Sequence, residues 1–323
     1  MLQSLVYAHK TTLGWATLVD ALRVAGFMVT EAWPLDTERT ARIRALDTAS
    51  LASSIFLVAR RREANEIGSY ESIVKPELED IVRERVETLW AKGVTGADLV
   101  IACVGAGLRA FTRFARVEYA NGEELPADKF LGEVEGVVLD TLLEKLFGVP
   151  RAGVASVDAA TRFYVLWRYA YRTAAIDAGE AIVFAYPQGV ELDGPKGLSS
   201  GPRALVEKQK SKYRLRDFAE RGDDDKLGLP SDDAQAPLID VLHRLLHLME
   251  NSPAEIPAFL DEANANLDQL HLVAQTLAGS ALAGNGDGGG KSLVAARGAE
   301  ASALRKLTTN WRTLIGVRRG SLM

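Results

Sequence analysis

LVYA at residues 5–8, TLGWATLVDALRVAG at 12–26, FMVTEAW at 27–33 and SSIFLVA at 53–59 are the stretches whose reading decides the fold. The first is a short apolar run rich in β-formers and predicts a buried strand. In the second, Thr11 or Thr12 can cap a helix whose apolar face is Trp15, Leu18, Val19, Leu22 and Ala25, and Gly26 ends it in the usual C′ manner. Phe27 to Trp33 reads as a second strand stopped at Pro34, which has no amide proton to give a ladder. Residues 34–52 read as a polar loop, and Ser53 to Ala59 as a third strand. Strand, helix, strand is a βαβ unit, so the first two strands are expected to pair in parallel. Three strands and one helix cannot close a stable sheet. The first strand is therefore expected at an edge with a bare, apolar flank, as if the chain began inside a domain.

Beyond Arg60-Arg61-Arg62 the pattern turns helical. Ile73, Val74, Leu78, Ile81, Val82, Val86, Leu89 and Trp90 recur at helical spacing, predicting an amphipathic helix over residues 71–92. Helices are also expected over 128–147, 158–171, 177–185, 238–249, 257–260 and 267–278, with a short strand over 212–218. Residues 187–203 read as a loop, the Asp-rich 221–237 as a linker, and AGNGDGGG at 283–290 as a flexible break before a basic helix over 291–316. The expected organisation is a sheet remnant (1–62), a mainly helical region (63–282) and a basic tail (283–323).

The 323 residues are 47% hydrophobic and 25% charged with a single Cys, which excludes collagen-like, wholly disordered and disulfide-stapled chains. One Cys points to a reducing compartment, and no apolar run approaches the roughly 20 residues of a membrane helix. A cytoplasmic protein without a membrane partner is expected. The net charge of −5 is unevenly spread: residues 1–62 carry +3, residues 291–323 carry +6, and the middle carries −14. An acidic body argues against tight autonomous nucleic-acid binding, because phosphate neutralisation supplies most of that affinity.

Asp98-Leu-Val-Ile-Ala-Cys-Val-Gly105-Ala-Gly107 resembles a strand followed by Gly-x-Gly, as in nucleotide-binding turns. No βαβ series surrounds it, and the expected acidic residue falls in the turn Asn121-Gly122-Glu123. A helix or strand terminus packed closely through glycine is the stronger reading. His243 and His247 share a helix face, yet no third ligand is evident, so they read as ordinary imidazoles. Cys103 reads as a small core residue. Arg203, Lys208, Lys210, Lys212, Arg214 and Arg216 are followed at once by Asp217, Glu220 and Asp223 to Asp225, a locally compensating surface. The C-terminal helix, with Trp311 inside it, is the better phosphate-contact candidate. Its alternative is to dock on the acidic middle of the same chain.

Val6-Tyr7-Ala8-His9-Lys10, Trp15 and Leu18, Ala25-Gly26-Phe27-x-Val29, Trp33-Pro34-Leu35-x-Thr37-Glu38, Leu51-Ala52-Ser53-Ser54-Ile55 and Arg60 follow one another in order. This string resembles the tail of the methyltransferase fold in the large bacterial adenine-specific DNA methylases that open with a domain of unknown function. Some of those are associated with restriction-modification or anti-phage defence. Gly96-Ala97-Asp98-Leu99, Gly105-x-Gly107, Thr161-Arg162-Phe163 and Leu238-Ile239-Asp240-x-x-His243 extend the resemblance over residues 4–280. It implies an α/β remnant, the end of a Rossmann-like methyltransferase sheet, followed by a mainly α-helical region. It also implies S-adenosylmethionine as cofactor of the complete enzyme, DNA as its partner, and an N-terminal methylase part supplying the rest of the sheet. The chain contains no Pro-Pro pair, so the Asp/Asn-Pro-Pro-Tyr/Phe motif that grips a flipped adenine is missing. This chain alone is then expected to bind no cofactor and to have no catalytic residue. The 34–52 loop would edge the target-base pocket, making Trp33, Pro34, Thr37 and Glu38 candidate pocket residues. Arg39, Arg42 and Arg44, with Arg312, Arg318 and Arg319 of the tail, are candidate phosphate contacts. The alternative is a non-enzymatic helical partner that completes a split methylase or a defence complex.

Overall fold

A computed structural model describes residues 2–7, 12–36, 53–94, 96–231, 234–279 and 299–316. It is a mixed α/β structure, 59% helical with small sheets. The chain divides into two compact units, one of residues 1–142 and 176–187, the other of residues 143–175 and 188–323. The division does not fall at residue 62: the opening sheet shares its unit with the helices that follow it.

In the first unit, β1 (Leu2–Tyr7), α1 (Thr12–Val24), β2 (Phe27–Asp36) and β3 (Ser53–Arg61) come in the expected order. The expected parallel pairing does not occur. β3 lies between β1 and β2 and pairs antiparallel with both, so the two strands joined by α1 run in one direction with a strand between them. Periodicity assigns side chains to faces but says nothing of which strand becomes a neighbour. Nor does Pro34 end β2, which runs on to Asp36 opposite Ser53. β2 is an edge strand, where a missing amide proton costs no ladder bond.

The register sorts the side chains. Leu5, Leu57 and Ala32 form one cross-strand row, and Val6, Phe56 and Trp33 the next, on the opposite face. Val29, Ala32, Leu57 and Ala59 are buried where α3 (Gly96–Thr112) packs along β2 and β3. A bulge between Val29 and Glu31 takes the Val29 amide out of simple pairing, and the buried Thr112 hydroxyl accepts from it at 2.9 Å. In α1 the buried residues are Ala16, Val19 and Arg23; of the predicted face Val19 is buried, Trp15, Leu18 and Leu22 are half-buried and Ala25 is exposed. Arg23 stacks over Phe111, and Arg62 donates to the Thr112 and Phe114 carbonyls, supplying cations and donors where α3 leaves its last carbonyls unpaired.

The unit continues through β4 (Ile67–Ser69), a π-helical turn at Tyr70–Val74, α2 (Lys75–Ala91), β5 (Arg116–Glu118), which pairs parallel with β4, and α4 (Ala127–Phe147), which runs on into the second unit. Of the two readings left open before Gly105, helix or strand, the structure shows helix. Leu99 to Val104 lies within α3, because a continuous apolar run suits a buried helix as well as a strand. Later, β6 (Ile176–Asp177) and α7 (Ala178–Ala185) return to the first unit.

The second unit holds α5 (Arg151–Ala155), α6 (Ala159–Tyr171), a hairpin of β7 (Val206–Gln209) and β8 (Lys212–Leu215), and α8 (Phe218–Arg221). It continues with α9 (Leu238–Asn251), α10 (Ile256–Ala263), α11 (Leu267–Ala278), α12 (Ala299–Thr309) and α13 (Trp311–Gly316). α9 is central, packed by α6, α8, α10, α11 and α12, with Leu238, Ile239, Val241, Leu242, Leu245, Leu246 and Leu248 all buried. Over residues 221–231 the expected linker is instead packed structure. Arg221 and Leu227 are buried, and a Cβ on Gly228 would lie 2.8 Å from the Val241 backbone. Among the described residues no helix is long and apolar enough to cross a membrane.

Candidate functional site

Two places in the described structure concentrate polar chemistry, one in each unit. In the first, α2 and α3 meet β2 at a shallow cleft of about 90 Å³ lined by Thr30, Glu31, Ile81, Glu84, Arg85, Thr88, Ala106 and Arg109. Arg85 organises it. Its guanidinium lies 4.1 Å from the centroid of the Trp33 ring, pairs with Glu31 at 3.4 Å and donates to the Ala32 carbonyl. Lys92, just past the end of α2, brings a second cation to within 5.1 Å of the same ring. A cation over an indole is worth about 0.5–2 kcal/mol, depending on how far it is desolvated. Trp33 therefore anchors α2 against the sheet edge through its own π-face. The basic partners of this ring went unnoticed in the sequence, where Arg85 is one charge among many on an amphipathic helix.

Pro34 lies in β2 beside Trp33, at the start of the predicted pocket loop. Thr37, Glu38, Arg39, Arg42, Arg44, Arg318, Arg319 and the His9-Lys10 pair lie outside the described residues. The Gly105-Ala106-Gly107 segment is in mid-helix. A Cβ on Gly107 would sit 2.7 Å from Val134 Cγ1 and 2.9 Å from Leu78 Cδ1, so this glycine lets three helices approach. The turn after a strand that a nucleotide-binding Gly-x-Gly occupies is here continuous helix. Cys103, on the same helix, is buried, and burial pushes its thiol up to about 12.

In the second unit, two motifs far apart in sequence share one set of hydrogen bonds. Asp158 caps α6, accepting from the Thr161 amide at 2.9 Å and the Thr161 hydroxyl at 2.7 Å. The same carboxylate accepts from the Leu238 amide at 2.9 Å, and Thr161 Oγ1 accepts from the Ile239 amide at 2.9 Å. One Asp-x-x-Thr pair therefore satisfies the first turns of both α6 and α9. A turn further along α9, buried Arg221 pairs with Asp240 at 2.8 Å and approaches His243 Nδ1 at 3.3 Å. Arginine can only donate, so Nδ1 accepts and the ring proton sits on Nε2, which is buried without a partner among the described residues. Burial, then the Arg221 and Arg168 charges, hold the His243 pKa well below its ordinary value. His243 also meets the Tyr164 ring edge-on, at 5.2 Å between centroids.

This polar core extends to the C-terminal segment. Glu300, buried at the start of α12, pairs with the buried Arg168 of α6 and accepts from the Tyr164 hydroxyl at 2.9 Å. Ala303, Leu304 and Leu307 are buried as α12 packs on α9 and α11, and Trp311 stacks on His271 with centroids 4.4 Å apart. The tail thus docks by its apolar side and by an acid–base pair in which the tail supplies the acid. Arg312 stays exposed.

Four members of the other basic cluster are held by partners. Lys208 pairs with Asp193, Arg214 with Glu207 and Glu220, and Arg203 with Asp224, while Arg216 donates to the Pro202, Ala204 and Glu220 carbonyls. Hydrogen bonds from Lys208, then Tyr213, hold Asp193 down at about 2. Among the described residues no group of three or more His, Cys, Asp or Glu side chains is placed to hold a metal ion. Compared with known proteins, the chain matches no family model, no curated protein and no solved structure.

Proposed function

We propose that this chain is the C-terminal part, or a separate subunit, of an S-adenosylmethionine-dependent adenine-specific DNA methyltransferase. The sheet of β1, β3 and β2 would be the end of its catalytic sheet, and the cofactor loop and catalytic motif would be supplied elsewhere. The observation that carries this proposal is the outer edge of β1. Among the described residues no strand pairs with it, and Leu5 and Val6, which point to opposite faces, are 38% and 59% exposed. An uncharged apolar strand with a free edge is a template for another strand. The loop that the resemblance puts at the rim of the target-base pocket connects β2 to β3, which pair antiparallel.

Division of labour follows from the chemistry. Amino methylation of adenine needs an acceptor for the exocyclic amine protons and an aromatic surface for the flipped base. The described residues of this chain contribute neither as an open site, and would contribute the pocket rim, the sheet edge and the helical region. The test is co-expression with a methylase part that carries the cofactor loop and the Asp-Pro-Pro-Tyr motif, followed by methyl transfer from labelled S-adenosylmethionine to DNA. The complex is expected to methylate adenine, the chain alone is not, and Val6→Lys is expected to prevent assembly. Methyl transfer by the chain alone would overturn the proposal. A complex that forms but stays inactive would favour the non-enzymatic partner.

A further inference from the structure

The docked tail keeps one side for something else. With Glu300, Ala303, Leu304, Leu307 and Trp311 turned inward, Arg305, Lys306, Thr309, Asn310, Arg312 and Thr313 face outward or sit at the margin. By their three- and four-residue spacing Arg305, Lys306 and Thr309 share one stripe of α12, and Asn310, Arg312 and Thr313 follow at the turn into α13 and in its first turn. No Asp or Glu follows Glu300 in the sequence, and Glu300 itself is buried against Arg168. Among the described residues no carboxylate lies within ion-pair distance of Arg305, Lys306 or Arg312, in a chain whose middle is strongly acidic. Lys208, Arg214 and Arg203 of this unit, by contrast, are each paired with an acid. Folding leaves the cations of the stripe unmatched.

We propose that this face of α12 and α13 binds the phosphate backbone of double-stranded DNA without reading its bases. Arginine, lysine, threonine and asparagine side chains are the donors that contact phosphates. Arg305 to Thr309 span about 6 Å of α12, and Arg312 and Thr313 extend the face onto α13. Single strands are bound on exposed aromatic platforms, and the aromatic ring of this segment, Trp311, is turned inward on His271. That favours duplex over unpaired DNA. The choice of polyanion rests on the methyltransferase proposal.

The full chain would be titrated into a fluorescent 20-base-pair duplex of mixed sequence at several salt concentrations, with anisotropy as the readout. Replacing Arg305, Lys306 and Arg312 together by Gln is expected to reduce the slope of log affinity against log salt by about 2.7, at about 0.9 per phosphate contact. Affinity at 50 mM salt should fall at least tenfold with the circular-dichroism melt unchanged. The control Lys210→Gln with Lys212→Gln, in the turn and first strand residue of the β7–β8 hairpin, should change affinity less than twofold. A single-stranded probe should bind more weakly than the duplex. No duplex binding at 25 mM salt, an unchanged slope in the triple variant, or equal affinity for single strands would overturn the proposal. An acidic protein partner would give the first of these outcomes. Methyl transfer in the reconstituted complex is measured separately, so failure of either proposal leaves the other readable.

Discussion

Replacing Glu300 by alanine removes the anion from a buried site that holds α12 in place. Arg168 would keep its charge with only 4% of its side chain exposed, and the Tyr164 hydroxyl would lose its acceptor. Removing one partner of a buried ion pair costs about 3–5 kcal/mol, because the remaining charge is neither solvated nor matched. Replacing both partners by apolar residues of similar volume, Arg168→Met with Glu300→Leu, is expected to cost far less. The penalty falls first on the docking of α12, so native-state hydrogen exchange is the direct assay. If α12 opens locally, its slowest amides should exchange about two to three and a half orders of magnitude faster in Glu300→Ala, at 1.4 kcal/mol per tenfold. The double variant should restore most of that protection. An acceleration below tenfold in Glu300→Ala would mean that the Arg168 charge is solvated or matched in some other way, and would refute the reasoning.

His243 gives a pH-dependent prediction. Its pKa is depressed in the folded state, so below about 6.5 the unfolded chain binds a proton that the native chain does not, and stability falls as pH falls. For one such group the loss from pH 7.5 to 5.5 is about 1.4 kcal/mol. Urea midpoints should show this component in the wild type and lose it in His243→Gln, which keeps an acceptor for Arg221; an equal pH dependence in both would rule out His243 as its source. Gly107→Ala tests whether that glycine serves packing. Helix propensity alone would favour alanine by up to about 1 kcal/mol, whereas a Cβ 2.7 Å from Val134 adds an overpacking cost of about 1–3 kcal/mol. A lower melting temperature is expected, and a raised one would remove the close-packing explanation.

Much of the fold was legible where one signal dominates. α4, α6, α9 and α11 follow from apolar spacing, and Asp158 and Asn266 cap two of them because short polar side chains complete a first turn. The bare flank of β1 was legible too, since an uncharged apolar strand with too few partners must leave an edge exposed. At Leu99 to Val104 the sequence left helix and strand open, because a helix buried on most sides erases the polar stripe that would identify it. The linker reading misled over residues 221–231 because Asp-rich composition describes the side chains that reach water. The Arg221 guanidinium and the glycines that let the backbone close on α9 leave no trace in composition.

The sequence by itself determined where most elements start and stop, the uneven distribution of charge, and a C-terminal helix that is apolar on one side and basic on the other. Those properties depend on neighbours within a few residues, through capping, periodicity and the summed charge of a segment. Only the tertiary structure decided that β3 lies between β1 and β2, that Asp158 and Thr161 cap a helix some eighty residues away, and that Glu300 is matched by Arg168. Each of these depends on which segments meet when apolar faces are buried, and a buried charge is tolerable only where such a meeting supplies its partner. By the same step the cations of the tail are left facing water, available to a polyanion.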